Sequence, residues 1–225
     1  MNLLTGIVLL SQGAVNLFGE ALGGTGWDVC RAIVQAPDGG FAIAGDAASF
    51  GPGGDFLLIK LTPTGAIQWA RNYGGSSSDV CFSMILTADS GFALVGRTMS
   101  YGAGSADALI VKVSSTGTLE WARTIGGTSY DYGEAITQTA DGGYAVTGVT
   151  QSAGGGSYDM FAAKLSSVGA LEWARTFGGT DEDWGRAIVQ TLDGGYAVSG
   201  YTFSFAAGGN TDLLLVKLDA SGNMS

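Results

Sequence analysis

The chain has 225 residues, enough to bury the core of one large all-β domain or of two small domains. Glycine accounts for 39 residues, hydrophobic residues for 46% and charged residues for 13%, a composition that excludes a disordered acidic tail. The net charge of −10 argues against nucleic acids and anionic membranes as partners, and the lack of histidine removes the commonest general base and neutral metal ligand.

The first segment, residues 1–10, is apolar and carries no charged side chain. It aligns with the third strand of the repeats described below, with Val8 at the position of their lysine. Three interpretations stay open: a degenerate signal peptide, a strand that pairs with a neighbouring molecule, and an ordinary strand packed on the last repeat. No apolar run in the chain reaches the ~18 residues of a membrane span, so we expect no transmembrane segment.

Copies of one repeat occupy the rest of the chain. Trp69, Trp121 and Trp173 each stand in the sequence W-A-R and are 52 residues apart. The sequence D-G-G-[FY], or D-S-G-F in one copy, recurs with nearly the same period. We therefore divide the chain into full repeats over 28–78, 79–130 and 131–182, a partial repeat over 183–219, and an N-terminal segment over 1–26.

Each repeat predicts four strands and no helix. In the third copy, Asp141-Gly142-Gly143 is a tight turn, because glycine supplies a positive φ and aspartate can bond its own backbone. Apolar or alternating runs flank this turn and continue after a Gly/Ser-rich loop, with the period of two that strands show. The predicted strands of this copy are 135–138, 144–148, 160–165 and 171–177.

A period of about 52 residues with four strands is typical of a propeller blade. One blade cannot bury both faces of its sheet, so blades must stack, and the W-A-R tryptophans are predicted to fill the interface between them. The partial repeat 183–219 lacks its fourth strand, and residues 13–24 align with that missing strand. The prediction is a single all-β domain over 1–225, a four-bladed β-propeller whose ring is closed by the N-terminal strand. A β-solenoid is the competing architecture, which the tight D-G-G turns disfavour.

The motifs D-G-G-[FY]-A-[IVL], K-[LV], W-A-R and G-G…D resemble the secreted and cell-surface propeller-type repeats of bacteria and archaea. The resemblance covers about residues 13–222, and Ser90 stands where that pattern has glycine. It implies a propeller at an extracellular or cell-surface location. It implies no activity, because such arrays share no catalytic motif.

Most acids are fixed in the repeat and are interpreted as turn and strand-end caps. They form three rows: Asp28, Asp79, Asp131 and Asp183; Asp38, Asp89, Asp141 and Asp193; Asp55, Asp107, Asp159 and Asp212. The alternative is that such carboxylates bind Ca²⁺, which needs six to eight oxygens. Asp181-Glu182-Asp183 is the one local acidic cluster. We predict no cofactor and no metal site.

Cys30 and Cys81 occupy one repeat position, where the later copies have Gly133 and Gly185. They are interpreted as small buried thiols, with a disulfide between adjacent blades as the alternative. A catalytic thiol is not predicted in a chain without histidine, and no unique pair of carboxylates is evident. We therefore expect a protein that is not an enzyme.

The loops between the second and third strands vary most and lie on one face of the predicted ring. Their aromatic residues are the candidate ligand contacts: Phe50, Tyr101, Tyr158, Phe203 and Phe205. The predicted function is a non-enzymatic, extracellular structural or interaction module that assembles with itself through its N-terminal strand into a filament or surface layer. The alternative is a lectin-like module that uses these loops to bind a surface glycan or protein.

Overall fold

Each copy of the repeat forms one antiparallel sheet in the computed structural model of the chain, which describes residues 6–7, 19–51 and 53–225. The strands of each sheet lie side by side in chain order. Sheet I contains β3 (Asp28–Gln35), β4 (Phe41–Ala47), β5 (Asp55–Leu61) and β6 (Ile67–Tyr73). Sheet II contains β7 (Asp79–Leu86), β8 (Phe92–Thr98), β9 (Asp107–Val113) and β10 (Leu119–Ile125). Sheet III contains β11 (Asp131–Gln138), β12 (Tyr144–Thr150), β13 (Asp159–Leu165) and β14 (Leu171–Phe177).

Sheet IV has three strands, and a two-stranded sheet precedes sheet I. Sheet IV contains β15 (Asp183–Gln190), β16 (Tyr196–Thr202) and β17 (Asp212–Leu218), with a 3₁₀ turn at Ala207–Gly209 before β17. The small sheet pairs β1 (Gly6–Ile7) with β2 (Glu20–Ala21). The all-β prediction is confirmed, and the repeated sheets are arranged in a β-propeller-like manner. Among the described residues, no helix is long and apolar enough to span a membrane.

The turn between the first two strands of each sheet needs a left-handed residue. Gly39, Gly142 and Gly194 have φ of 78°, 81° and 82°, and Ser90 adopts 65° at the equivalent position. Ser90 therefore keeps the conformation that the repeat requires, although it carries a Cβ that glycine lacks. The departure from the repeat pattern at this residue leaves the hairpin unchanged.

The core of the molecule lies between successive sheets. We call the face of a sheet that packs on the following sheet its leading face, and the opposite one its trailing face. Ala42, Phe56 and Leu58 on the leading face of sheet I share one buried cluster with Met84 and Leu94 on the trailing face of sheet II. Equivalent clusters join sheets II and III, and sheets III and IV. The prediction that blades stack face to face agrees with these clusters.

The tryptophans of W-A-R extend this packing outward. Trp121 on β10 meets the ring of Tyr144 on β12 edge to face, with 5.4 Å between the centroids. Its indole Nε1 donates a hydrogen bond of 3.2 Å to the carbonyl of Ser167 in the following sheet. Trp173 makes the same two contacts with Tyr196 and Ala220. All three W-A-R tryptophans are half-buried at the junction of two sheets.

The first strands β3, β7, β11 and β15 contact one another in sequence, so they share what we call the inner edge of the array. Sheets I and IV do not bury their outermost faces against each other, as the exposure of Ile33, Leu213 and Leu215 shows. Among the described residues these two faces do not meet, and the number of blades and the closure of the ring stay predictions.

The predicted closing strand is only partly visible. Of residues 13–24, positions 13–18 lie outside the described residues, and Glu20–Ala21 pairs with Gly6–Ile7 instead of with β17. Met224 forms an antiparallel bridge with Leu218 of β17, and Ser225 N–H donates to the Lys217 carbonyl. Ring closure by the N-terminal strand stays a prediction. Pairing of residues 1–10 with a neighbouring molecule also falls mostly outside the described residues.

Candidate functional site

Six aromatic rings form a continuous strip across the junction of sheets III and IV. Neighbouring ring centroids are 5.5–6.4 Å apart, within the range of attractive aromatic contacts. We call this set the aromatic strip; in order, its members are Tyr130, Tyr132, Tyr158, Trp184, Tyr201 and Phe203. Tyr130 and Phe203 at its two ends are 37% and 39% exposed, and the four rings between them are half-buried.

The backbone fixes the strip because its members lie in strands or directly beside them. Trp184 on β15 and Tyr201 on β16 are direct cross-strand partners, and their rings stack at 6.0 Å with an interplanar angle of 13°. Tyr158 immediately precedes β13, and its carbonyl accepts a 2.7 Å hydrogen bond from Asp183 N–H at the start of sheet IV. This bond holds sheet IV to the residue at the middle of the strip.

Bulges in the first strands bring charged residues to the same place. The register of β11 with β12 shifts between Gly133 and Ala135, and the register of β15 with β16 shifts in the same way around Arg186. A bulge re-aims the side chain of its extra residue. The two extra residues, Glu134 and Arg186, form an ion pair of 2.8 Å between sheets III and IV.

Two arginines lie over ring faces of the strip. The guanidinium carbon of Arg186 is 4.6 Å from the Trp184 centroid and 5.5 Å from the Tyr201 centroid. Arg97 on β8 lies 5.4 Å from the centroid of Tyr132. Cation–π attraction at this range stiffens the strip while leaving guanidinium donors at its border.

Burial affects two polar groups of the central rings, the hydroxyl of Tyr158 and the indole N–H of Trp184. Burial raises the pKa of the Tyr158 hydroxyl, and the neighbouring Tyr132 adds to the rise. The indole Nε1 of Trp184 is buried and has no acceptor among the described residues. Tyr158 therefore stays protonated at neutral pH and can donate a hydrogen bond.

An open cleft of about 580 Å³ adjoins the Phe203 end of the strip. It is lined by Ser157, Asp181, Glu182, Phe203 and Gly209. The carboxylates of Asp181 and Glu182 are acceptors, and the hydroxyl of Ser157 is both donor and acceptor. The site thus combines ring faces with hydrogen-bonding groups, the composition of many small-molecule sites.

The sequence-predicted ligand residues divide into two groups. Tyr158 and Phe203 belong to the aromatic strip. Phe50, Tyr101 and Phe205 instead lie beside the glycine pairs that precede the first strands, next to Gly24, Gly75 and Gly179 respectively. The Tyr101 hydroxyl donates a 2.8 Å hydrogen bond to the Gly74 carbonyl, so this residue helps to hold its own loop.

Sequence reasoning missed four members of the strip: Tyr130, Tyr132, Trp184 and Tyr201. A signal was available, because Tyr132 and Trp184 stand where the first two repeats have valine, and Tyr201 stands where they have Asp46 and Arg97. At these positions the residue type differs from one repeat to another, so packing between sheets does not determine it.

One row of aspartates binds the repeated lysines. Lys112 is 2% exposed, and its ammonium donates 2.8 Å to Asp89 and 3.0 Å to Glu120. The same pairs recur at Lys60–Asp38, Lys164–Asp141 and Lys217–Asp193. Each aspartate also accepts a backbone N–H two residues further on, as a turn cap does.

The other two rows bring carboxylates together in pairs. A Cβ on Gly126 would collide with both Asp107 and Asp131, and the glycines Gly74 and Gly178 are flanked in the same way. Burial raises the pKa of Asp107, and the carboxylate of Asp131 adds to the rise. Within the described ranges, no group of three or more His, Cys, Asp or Glu side chains could hold a metal ion. The three acids at 181–183 do not converge, and the Ca²⁺ alternative stays untested.

The two cysteines are free thiols in different surroundings. Cys81 is buried and its Sγ contacts the Ser83 carbonyl at 3.5 Å, while Cys30 is exposed at the equivalent place in sheet I. Burial raises the pKa of the Cys81 thiol far above its usual range. The disulfide alternative is not realised, and Cys30 differs from the predicted buried thiol because no described residue covers this part of the trailing face of sheet I.

No protein-family model and no curated protein matches the chain. Among solved structures, a protein of unknown function from Bacteroides caccae is similar at 11% identity with a TM-score of 0.51, over 87% of this chain and 65% of that one. An endo-arabinase from Bacteroides thetaiotaomicron is similar at 13% identity with a TM-score of 0.45, over 86% of this chain and 75% of that one. The chain thus spans just under two thirds of the Bacteroides caccae protein, and that likeness concerns the fold alone.

Proposed function

We propose that the protein is a non-catalytic binding module that takes up a saccharide on the aromatic strip. The observation that carries the proposal is the continuous row of six rings beside open hydrogen-bonding groups. The apolar C–H face of a pyranose or furanose ring packs on an aromatic face, while its hydroxyls need donors and acceptors nearby. Both requirements are met by side chains that the sheets hold in place.

The polar groups around the strip suit hydroxyls. Arg186 supplies donors, while Asp181 and Glu182 supply acceptors. The net charge of −10 disfavours phosphate-rich ligands, so the proposal is a neutral or cationic glycan. The module would act outside the cell or at its surface, where such glycans are displayed.

The rings at the two ends of the strip offer the cleanest test. Phe203 and Tyr130 are partly exposed, so Phe203→Ala and Tyr130→Ala remove ligand contacts with little loss of core packing. Tyr101→Ala is the matched control, because Tyr101 is an exposed loop aromatic outside the strip. A glycan array first identifies a saccharide, and isothermal titration then measures its affinity for each variant.

We expect Phe203→Ala and Tyr130→Ala each to weaken saccharide binding about tenfold, which corresponds to about 1.4 kcal/mol, with unchanged melting temperatures. Tyr101→Ala should bind like the parent chain. Failure of every arrayed glycan to bind, or an equal loss in Tyr101→Ala, would contradict the proposal.

A further inference from the structure

Two buried carboxylates, those of Asp55 and Asp79, lie together at the junction of sheets I and II. Asp55 is the first residue of β5 and Asp79 the first residue of β7. Asp55 is 3% exposed and Asp79 is fully buried. A Cβ on Gly74 would collide with Asp55 Oδ1 and with Asp79 Oδ2, so the two oxygens converge on one point beside this glycine.

The charge of this pair has no counterpart in the part of the chain that the structure describes. Neither carboxylate has a lysine or arginine within salt-bridge distance there. The repeated lysines of sheets I and II pair instead with the aspartates of the hairpin turns. Two like charges that are removed from water destabilise the fold unless a cation or a proton neutralises them. The pair therefore needs a positive charge from outside these side chains.

One oxygen of each carboxylate also lacks a hydrogen-bond donor. Asp55 Oδ1 and Asp79 Oδ1 are both buried and have no partner among the described residues. The other oxygens are satisfied: Asp55 Oδ2 accepts 2.8 Å from the Asn72 amide. Asp79 Oδ2 accepts from Gly75 N–H and from the Ser100 hydroxyl, each at 2.8 Å. Buried acceptors in native proteins almost always have a partner, so the two unsatisfied oxygens indicate the place of a ligand.

The equivalent pair between sheets II and III, Asp107 and Asp131, is satisfied without such a ligand. Asp131 Oδ1 accepts from the Thr150 hydroxyl, and its Oδ2 accepts from a backbone N–H and from a second hydroxyl. An open cleft of about 600 Å³ reaches Asp131, so water can hydrate this pair. Between sheets III and IV, Asp183 alone carries a buried oxygen without a described partner. The junction of sheets I and II thus differs from the other two in having such an oxygen on both acids.

The donor atoms and their charge determine which ion fits the pair. Carboxylate oxygens are hard donors, which favour Ca²⁺ or Mg²⁺ over softer transition metals. A divalent ion balances the two negative charges, whereas a monovalent ion leaves one uncompensated. Mg²⁺ demands near-ideal octahedral geometry, while Ca²⁺ accepts six to eight oxygens in irregular arrangements. The two carboxylates come from different sheets and are already held by hydrogen bonds, so the ion that tolerates irregular geometry fits better.

We propose that Asp55 and Asp79 bind one Ca²⁺ ion between sheets I and II. The two carboxylates supply the charged ligands, and water completes the coordination shell. An open cleft of about 580 Å³ begins at Gly74 and is lined also by Asn72 and Tyr101. Gly74 has no side chain to separate this cleft from the carboxylates, so the ion and its waters enter there. The bound ion links two sheets whose carboxylates repel each other without it.

Calcium titration of the full chain tests the proposal, which does not rest on saccharide binding. The protein is treated with EDTA and exchanged into calcium-free buffer. Isothermal titration with CaCl₂ then measures stoichiometry and affinity, and thermal unfolding measures stabilisation. Asp55→Asn removes one charged ligand, while its amide oxygen can still accept the hydrogen bond from Asn72. Asp107→Asn is the matched control, because it makes the same change in the hydrated pair between sheets II and III.

We expect the parent chain to bind one Ca²⁺ ion with a Kd of about 0.1–1 mM, the range of weak calcium sites in extracellular modules. Addition of about 10 mM CaCl₂ should raise the melting temperature of the parent chain and of Asp107→Asn by about 5 °C. The melting temperature of Asp55→Asn should not respond to calcium. In EDTA, Asp55→Asn should melt no lower than the parent chain, because the substitution removes the repulsion between the two carboxylates.

Three results would overturn the calcium site. They are a parent chain that binds no Ca²⁺, a calcium response that persists in Asp55→Asn, and a response that is lost in Asp107→Asn as well. NaCl at the same ionic strength controls for screening of the net negative charge. A rise in melting temperature of the same size with NaCl would show screening only and would overturn the proposal too. Far-UV circular dichroism checks that each variant keeps its strands.

Discussion

The side-chain oxygen of Gln190 accepts a hydrogen bond from the backbone N–H of Ala140, 2.8 Å away in the preceding sheet. The bond fixes the last residue of one first strand to the turn of the sheet before it. Gln138 and Ala88 repeat the contact one sheet earlier. Specific bonds of this kind set the register between sheets that apolar packing alone would leave adjustable.

Replacing Gln190 with leucine should remove this bond while keeping the volume of the side chain. We expect the free energy of unfolding to fall by about 1 kcal/mol, because this bond and a longer one of 3.5 Å to the Gly194 carbonyl are lost while Ala140 N–H can still reach water. Leu86→Gln is the control: the position equivalent to Ala140 in the sheet before it is Pro37, which has no N–H, so this variant should gain no such bond. Chemical denaturation measures both, and equal stability of Gln190→Leu and the parent would show that the bond contributes nothing.

Trp121→Ala should destabilise the fold by about 3 kcal/mol, at the lower end for truncation of a large aromatic residue because the indole is half-buried. It removes the edge-to-face contact with Tyr144 and the hydrogen bond to Ser167. Leu119→Ala on the same strand is the control, since Leu119 is largely exposed. If thermal or urea unfolding shows that Trp121→Ala lowers the free energy of unfolding by less than 1 kcal/mol, the indole does not stabilise the contact between the two sheets.

The lysine–aspartate pairs predict that the free energy of unfolding decreases at acidic pH. Hydrogen bonds from Thr139 and Lys164 lower the pKa of Asp141 to about 2. A lowered folded-state pKa contributes stability that is present above the unfolded-state pKa, near 4, and is lost as the pH falls through about 2. Asp141→Asn should therefore melt at a lower temperature than the parent at pH 7, and the difference should shrink between pH 4 and pH 2. Asp181→Asn, with the same change in charge but no ion pair in the described residues, should show no such convergence.

The paired carboxylates predict the opposite pH dependence: their contribution to folding stability decreases as the pH rises. Because the pKa of Asp107 is raised, its contribution favours the folded state at low pH and is lost as the pH rises through the raised pKa. Asp107→Asn can keep the hydrogen bonds from Ala103 and Gly104 on one oxygen, so it should raise the melting temperature at pH 7 and leave it unchanged near pH 3.

Asp131→Asn is the matched control for that prediction. Asp131 uses both oxygens as acceptors, from Thr150 on one side and from Gly127 and Ser152 on the other, and an amide cannot accept on both sides. This variant should lower the melting temperature at pH 7. If both substitutions act in the same direction, repulsion between the two carboxylates is not what limits stability here.

The strands and turns could be predicted from the sequence because their determinants are local. The period of two in Leu171–Phe177 and the positive φ required at Gly142 are properties of a few adjacent residues. The contacts of the half-buried tryptophans between sheets also followed, because one sheet cannot cover its own faces. The closure of the ring stays a prediction, because residues 13–18 of the predicted closing strand lie outside the described residues.

The candidate site was only half predicted, for a similar reason. A search for aromatic residues in variable loops finds Tyr158 and Phe203, but it also selects Tyr101, which bonds to Gly74 in its own loop. Trp184 was missed because it lies inside a strand, where aromatic residues usually serve the core. The signal that could have found it is the departure from the repeat, since the first two copies have Val29 and Val80 at this position.

The most direct test of saccharide binding on the aromatic strip follows the indole N–H signals of the five tryptophans by two-dimensional NMR while a binding saccharide is added. Trp184 lies in the aromatic strip, whereas Trp121 and Trp173 donate their indole N–H groups to carbonyls between sheets. Binding on the aromatic strip should shift the Trp184 signal progressively and leave those of Trp121 and Trp173 in place. Saturating saccharide that leaves the Trp184 signal unmoved, or that shifts only other tryptophans, would contradict the assignment of the aromatic strip as the binding site.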